Sequence, residues 1–223
     1  MNEKNLKPVY QPIIHLETNR VLGFEANIIG LEEDGTELRY PDLLKRNIKN
    51  LDFIARDKAI TQFKIRQKGF KLFVNAEPEE MDIPLFYEDV DLTNVVLEIT
   101  ENSSMKNPTR TNERITFLRR KGLEIALDDF GSNKQNYDKL SISPDFIKLD
   151  KLFIKEEGLL RKMASLTGDY KVILEGIEDT KFVDIGKELG IMFGQGFALG
   201  RPMPYEEVTT KIINGDYQVM EYN

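Results

Sequence analysis

Glu25, Asn75, Glu98, Asp128, Asp129, Lys148, Glu175 and Gln195 each sit at or just past the end of a short apolar, strand-like run. Carboxylate and amide oxygens of this kind suit a hard divalent ion, Mg2+ or Mn2+, rather than zinc. Two such ions held close together can activate a water and stabilise the leaving oxygen in phosphodiester cleavage. On residue types alone the set points to a metal-dependent phosphohydrolase.

Each motif also has a plainer explanation. In Asp128-Asp129-Phe130-Gly131 two adjacent carboxylates cannot both be buried and charged without a cation. Their side chains diverge, so one could bridge two metals while the other reaches one, and Gly131 permits a sharp turn after them. The same four residues also read as an Asp-Asp turn with helix capping. Glu98 and Glu101, three apart, could point into a site and anchor a neighbouring loop, or form a capping pattern. Asn75 offers a neutral oxygen ligand, or simply starts a loop. Lys148 and Asp150 share a side if their strand continues. A lysine there could hydrogen-bond a metal-bound water, or make a surface ion pair. Glu175-Gly176-Ile177-Glu178 and Gln195-Gly196 complete the set. Singly these are ambiguous, but seven strand ends carrying such groups in order are hard to explain as turns.

The spacing says what must hold them. From Asn75 onward the successive strand ends fall 20 to 30 residues apart, about the length of one strand-plus-helix unit. Polar groups repeated at strand C-termini are how a parallel β/α barrel builds a site. The coarse order begins with two strands near 9–15 and 20–28. The turn Glu17-Thr18-Asn19 between them makes an antiparallel pair. A helix near 51–68 has Leu51, Ile54, Ala55, Ala59 and Phe63 on one face and stops at Gly69. Strands follow at 70–75, 123–127, 145–149, 171–175 and 191–195. Helices fall near 111–121 and 179–189, the latter with Phe182, Ile185, Gly186 and Leu189 inward. Pro202 and Pro204 end the barrel-like region. A C-terminal tail, 205–223, holds a helix near 205–214. Alternating strands and helices argue for an α/β fold with a parallel sheet closed by crossovers.

At 223 residues the chain is read as one domain, 1–223, with no low-complexity segment or linker. Hydrophobic content of 40% and charged content of 31% are ordinary for a soluble globular protein. A net charge of −7 argues against DNA and anionic membranes as partners. A bound metal could still supply the local positive charge that a phosphodiester needs. The absence of cysteine excludes disulfides, thiolate zinc sites and a cysteine nucleophile. Met1 to Pro8 is polar, with no apolar signal region, and no run reaches transmembrane length, so the expected location is cytoplasmic and the expected membrane insertion none. His15 lies in the first hairpin, away from the strand-end set.

The residues together resemble a known family, the EAL domain. The resemblance rests on Gln11-Pro12-Ile13, Gly23-Phe24-Glu25-Ala26, Asn75, Glu98-x-Thr100-Glu101, Asp128-Asp129-Phe130-Gly131, Ile147-Lys148-x-Asp150, Glu175-Gly176-x-Glu178, Gln195-Gly196-Phe197 and Gly200-Arg201-Pro202-Met203-Pro204. It covers about residues 8–204. It implies a modified TIM (β/α)8 barrel with an antiparallel first strand. It also implies a phosphodiesterase that opens cyclic di-GMP to linear pGpG with Mg2+ or Mn2+. By the same resemblance Glu25, Asn75, Glu98 and Asp128 would hold one metal, and Asp128, Asp129 and Glu175 the second. Lys148 would orient or deprotonate the attacking water, Gln195 would support it, and Gln11 would bind substrate. Glu101 would anchor the loop after Asp129, with Asp150 and Glu178 behind the ligands. A homodimer and a regulatory protein partner are partners the family allows.

Three positions depart from the family pattern. Asn27 replaces the leucine of the signature triplet. Ile29 stands where an arginine usually grips a substrate phosphate, which removes a bidentate clamp. Ser132-Asn133-Lys134-Gln135-Asn136 replaces the usual Thr-Gly-Tyr-Ser-Ser loop. These changes motivate a rival expectation of a degenerate module, a cyclic di-GMP receptor or protein-interaction domain without catalysis.

Overall fold

The computed structural model describes residues 3–77, 80, 90–100, 107–131 and 137–220. Leu6–His15 (β1) and Val21–Leu31 (β2) form an antiparallel hairpin. At its turn Asn19 takes φ 56°, a left-handed conformation that asparagine tolerates. The Thr18 backbone N–H donates to His15 Nδ1 at 3.3 Å, so the one histidine closes this turn. Ile13 pairs with Gly23 and Ile14 with Val21, which leaves Leu22 as an extra residue in β2. Such a bulge bends and twists its strand locally.

The elements that follow are β3 (Glu37–Leu38), α1 (Tyr40–Lys45), α2 (Leu51–Gln62), β4 (Lys71–Ala76), β5 (Val95–Ile99), α3 (Pro108–Arg119), β6 (Glu124–Phe130) and β7 (Phe146–Leu149). Then come α4 (Glu157–Leu166), β8 (Lys171–Leu174), α5 (Lys181–Glu188), β9 (Phe193–Gly194) and α6 (Tyr205–Ile213). Strand β2 and strands β4 to β9 run parallel in sequence order. β1 runs antiparallel to both β2 and β9 and so closes an eight-stranded barrel, while β3 hangs from β2. The expected modified barrel with an antiparallel first strand is the fold. Gly23 makes one close approach possible, because a Cβ there would lie 2.1 Å from the Lys71 carbonyl oxygen.

Several boundaries differ from the sequence reading. The helix expected over 51–68 stops at Gln62, and Lys64–Lys68 continues as a 3-10 helix. The chain leaves the helix at Phe63, whose buried ring packs against Tyr10 at 5.1 Å, Phe24 at 5.6 Å and Tyr205 at 5.9 Å. The strand expected over 191–195 is only the two residues of β9. After α6 the tail becomes a strap rather than more helix: Val219 bridges Val21, and the Met220 N–H donates to the Val21 carbonyl at 3.0 Å. Glu101 and the loop 132–136 lie outside the described residues.

The core has two shells. Between barrel and helices, a large cluster gathers residues such as Phe24, Leu72, Leu97, Leu127, Leu149 and Leu174. Inside the barrel, each of the eight closing strands contributes one apolar residue: Ile13, Leu22, Phe73, Val96, Ala126, Phe146, Ile173 and Phe193. All eight are buried, and each large member contributes roughly 1.5–3 kcal/mol by leaving water. Met220, from the strap, packs against this ring.

Candidate functional site

Side chains two residues apart on a strand face the same way. One such step beyond the interior ring lie Asn75 (after Phe73), Glu98 (after Val96), Asp128 (after Ala126), Lys148 (after Phe146), Glu175 (after Ile173) and Gln195 (after Phe193). Glu25 lies three residues beyond Leu22, because the bulge adds one. On antiparallel β1 the equivalent step runs backward, from Ile13 to Gln11, and Gln11 pairs with Glu25. The strand-end residues named from sequence thus lie in one layer, at the C-terminal end of the parallel strands.

At its centre is Lys148, 1% exposed. Its Nζ lies 2.7 Å from Glu98 Oε1, 2.8 Å from Asp128 Oδ1, 2.9 Å from Glu175 Oε1 and 3.5 Å from Glu25 Oε2. Glu25 is held by two further groups. Gln195 Nε2 donates to its Oε2 at 2.5 Å, and Asn27 Nδ2 to its Oε1 at 2.9 Å. A second bulge sets the Asp pair. Leu127 pairs with Ile147 but Phe130 with Leu149, so three steps of β6 match two of β7. Asp129 there takes φ 46°, a left-handed backbone, and borders both flanking cavities, whereas Asp128 borders the first. After Glu175 the chain turns off through Gly176 at φ 70°, where a Cβ would meet Lys151 Cβ at 2.3 Å.

The electrostatics follow from four carboxylates around one ammonium. Burial would raise the Glu25 carboxyl, but Lys148 and the donated hydrogen bonds of Gln195 and Asn27 outweigh it, and its pKa falls below the ordinary value. Glu98 goes the other way: burial pushes its pKa well up, Lys148 opposes this, and the Glu25 and Asp128 charges add to the rise. Glu175 is likewise pushed well up by burial, then by Asp128, Glu25 and Asp129 against Lys148. Burial alone would lower Lys148, yet the surrounding carboxylates hold it well above the usual lysine value.

A divalent cation fits this donor set chemically. The oxygens are hard, four carboxylates face a single positive charge, and Glu98 Oε2 accepts no hydrogen bond among the described residues. As they stand, no three His, Asp or Glu side chains among the described residues are arranged to hold a metal ion. The Lys148 ammonium occupies the centre, so metal entry requires its three nearest carboxylates, Glu98, Asp128 and Glu175, to turn from it.

Two cavities flank the carboxylate layer, and Asp129 borders both. The first, about 250 Å3, is walled by Asn27, Tyr40, Asp52, Arg56, Asn75 and Asp128, among others. Arg56 is 3% exposed, and its guanidinium donates to the Asn75 carbonyl at 2.5 Å and to Glu80 at 3.0 Å. The Tyr40 hydroxyl donates to Asp52. Burial, then that bond, raises the Tyr40 pKa. The second cavity, about 310 Å3, is bordered by Gln11, Glu25, Asp150, Glu175, Glu178 and Phe197. Gln11 Nε2 donates to the Gly200 carbonyl at 3.0 Å.

The sequence reading missed Tyr40, Asp52 and Arg56. The available signal was Asp52 and Arg56 four apart on a helix, one turn along the same side. The condition under which Lys148 and Asp150 would share a strand face is not met. β7 ends at Leu149, and Asp150 turns to accept the Leu152 N–H at 2.7 Å, capping a 3-10 helix. Glu178 is exposed at the second cavity's rim. Ile29 borders neither cavity.

A closed β/α barrel with an acidic layer at its strand ends is the class of protein that fold and site define. The EAL domain family model matches residues 1–202, and the chain belongs to the EAL domain family. It is 27% identical over 235 residues to the cyclic di-GMP phosphodiesterase PA2567 of Pseudomonas aeruginosa, covering 92% of this chain and 40% of that protein. It is 32% identical over 126 residues to the cyclic di-GMP phosphodiesterase PdeB of Shewanella oneidensis, covering 52% of this chain and 15% of the relative. The chain thus spans less than half the length of both relatives. Among solved structures, an EAL domain protein from Listeria monocytogenes superposes with a TM-score of 0.81 at 23% identity, covering 94% of this chain and 93% of that one. The YkuI protein of Bacillus subtilis, solved with substrate c-di-GMP and calcium, superposes with a TM-score of 0.76 at 22% identity over 96% of this chain and 60% of that one. No helix among the described residues is long and apolar enough to cross a membrane.

Proposed function

We propose that this chain, taken as a single barrel domain over residues 1–223, is a cyclic di-GMP phosphodiesterase that yields linear pGpG with Mg2+ or Mn2+. The observation that carries this reading is the carboxylate layer converging on Lys148 between two cavities. A phosphodiester seated at that layer would have room on each side for one nucleoside. Membership of the EAL family, relatives named as cyclic di-GMP phosphodiesterases, and a neighbour solved with c-di-GMP support it.

In this reading Glu25, Asn75, Glu98, Asp128, Asp129 and Glu175 hold the divalent cations, which supply Lewis acidity toward water and phosphate oxygens. Gln195 keeps Glu25 in place through its Oε2. Lys148, kept protonated by its neighbours, orients the attacking water or a phosphate oxygen as a donor and cation. The first cavity offers the Asp52 carboxylate and the Tyr40 ring to a base. Gln11 and Phe197 border the other lobe. Apolar barrel walls beneath the layer exclude water from below.

A second reading, a cyclic di-GMP receptor without catalysis, is favoured by Ile29, which removes a phosphate-gripping arginine. Purified chain incubated with Mn2+ and cyclic di-GMP separates the two. The expected result is pGpG whose formation is lost in Glu25→Ala. Binding without product replaces the enzyme with the receptor, and neither binding nor product refutes both.

A further inference from the structure

Glu25 is tethered differently from the other carboxylates of the layer. Glu98, Asp128 and Glu175 each lie within 2.9 Å of the Lys148 ammonium, whereas Glu25 stands 3.5 Å away. Its two oxygens are instead taken by neutral amides, Gln195 on Oε2 and Asn27 on Oε1. Asn27 follows two residues later on β2 and therefore shares the inward face with Glu25, while Ala26 between them packs on the outer shell. The family's usual leucine at this position has no donor to offer.

We propose that Asn27 is a positioning residue for Glu25: with Gln195 it fixes the rotation of the carboxylate before a divalent cation arrives. The inference rests on the divalent-metal reading of the site. A carboxylate oxygen has two acceptor directions, so one hydrogen bond at Oε1 leaves room for a metal on the same group. Groups that orient metal ligands in this way change metal affinity by about 10–100-fold. Rotational freedom that Glu25 has already lost on folding is not lost again on binding. Asn27 also lines the first cavity, so the substitution places an amide where the family's leucine would present an apolar wall.

The test is calorimetric titration of the metal-free chain with Mn2+ alone, which needs no substrate and no turnover. Asn27→Leu is expected to weaken Mn2+ binding by about tenfold with little change in the metal-free thermal midpoint. Asn27→Gln, which keeps the amide donor, is expected to recover most of the affinity. Asn27→Ala replaces the leucine variant if that one does not fold. Unchanged or tighter Mn2+ binding by the leucine variant overturns the proposal alone. So does a glutamine variant as weak as the leucine one, since packing rather than donation would then be at work. Wild-type chain that takes up no Mn2+ overturns the metal reading itself, and this inference with it.

Discussion

Phe73, Val96, Ala126, Phe146, Ile173 and Phe193 are separated by one pleat of the same six strands from Asn75, Glu98, Asp128, Lys148, Glu175 and Gln195. The lower ring is apolar, and its five aromatic or β-branched side chains are fully buried. The upper ring, joined by Glu25 from β2, brings four carboxylates within reach of one ammonium. Burial stabilises the first and burdens the second, where it pushes Glu98 and Glu175 toward their neutral forms. The buried lower ring sets where the charged upper ring can go. Stability and chemistry are allotted to alternate levels of the same strands.

The largest effect should come from below. Phe146→Ala removes a ring packed on Phe73 at 5.3 Å and is expected to cost about 3–5 kcal/mol in urea unfolding. If the folded variant's Mn2+ affinity falls too, the two levels are not separable. In the upper ring, Lys148→Met leaves the carboxylates without their cation. In chelator at pH 8 it is expected to cost about 3 kcal/mol. That cost should shrink toward pH 5, because Glu98 and Glu175, raised in the folded chain, then take up protons and relieve the repulsion. A penalty independent of pH would mean that packing, not charge, is what Lys148 provides. The smallest effect is on proton balance. Carboxyls raised by burial must lose their protons to bind a cation, so Mn2+ binding should release protons. The release should be greatest just above the ordinary glutamate range and decline as pH rises. Calorimetry in buffers of different ionisation enthalpy measures it, and proton uptake would contradict the assignment.

Much of the upper ring was legible because a polar residue ending an apolar run needs no three-dimensional information to be noticed. Asp128, Lys148 and Glu175 stood out in this way. The barrel followed from the spacing, and the antiparallel start from the Glu17-Thr18-Asn19 turn. The wall of the first cavity was not legible. Helix α2 was read by its apolar stripe, and Asp52 and Arg56 beside that stripe resemble an ordinary solvated flank. Only the neighbouring β4 end, whose Asn75 carbonyl receives the Arg56 guanidinium, turns that flank inward. The two bulges were also invisible. An extra residue at Leu22 or in the Asp pair leaves no mark in composition, yet it sets the spacing of Glu25 and goes with the left-handed backbone of Asp129. Asp150 was placed beside Lys148 only on the condition that the strand continued, and it ends at Leu149.

Closure by β1 also has a bearing on how the barrel comes into being. Its pairing with β2 is local and can form as soon as both strands exist. Its pairing with β9 joins His15 to Phe193 and Ile14 to Gly194, across nearly the whole chain and through only two residue pairs. Contacts of such long reach form late and slowly. A seam this short, matched only by the two pairs of β8 with β9 among the eight closing strands, is also where hydrogen exchange should find weak protection. Gln195 follows directly on that seam. The grip on Glu25 is then completed last in folding and released first when the barrel breathes.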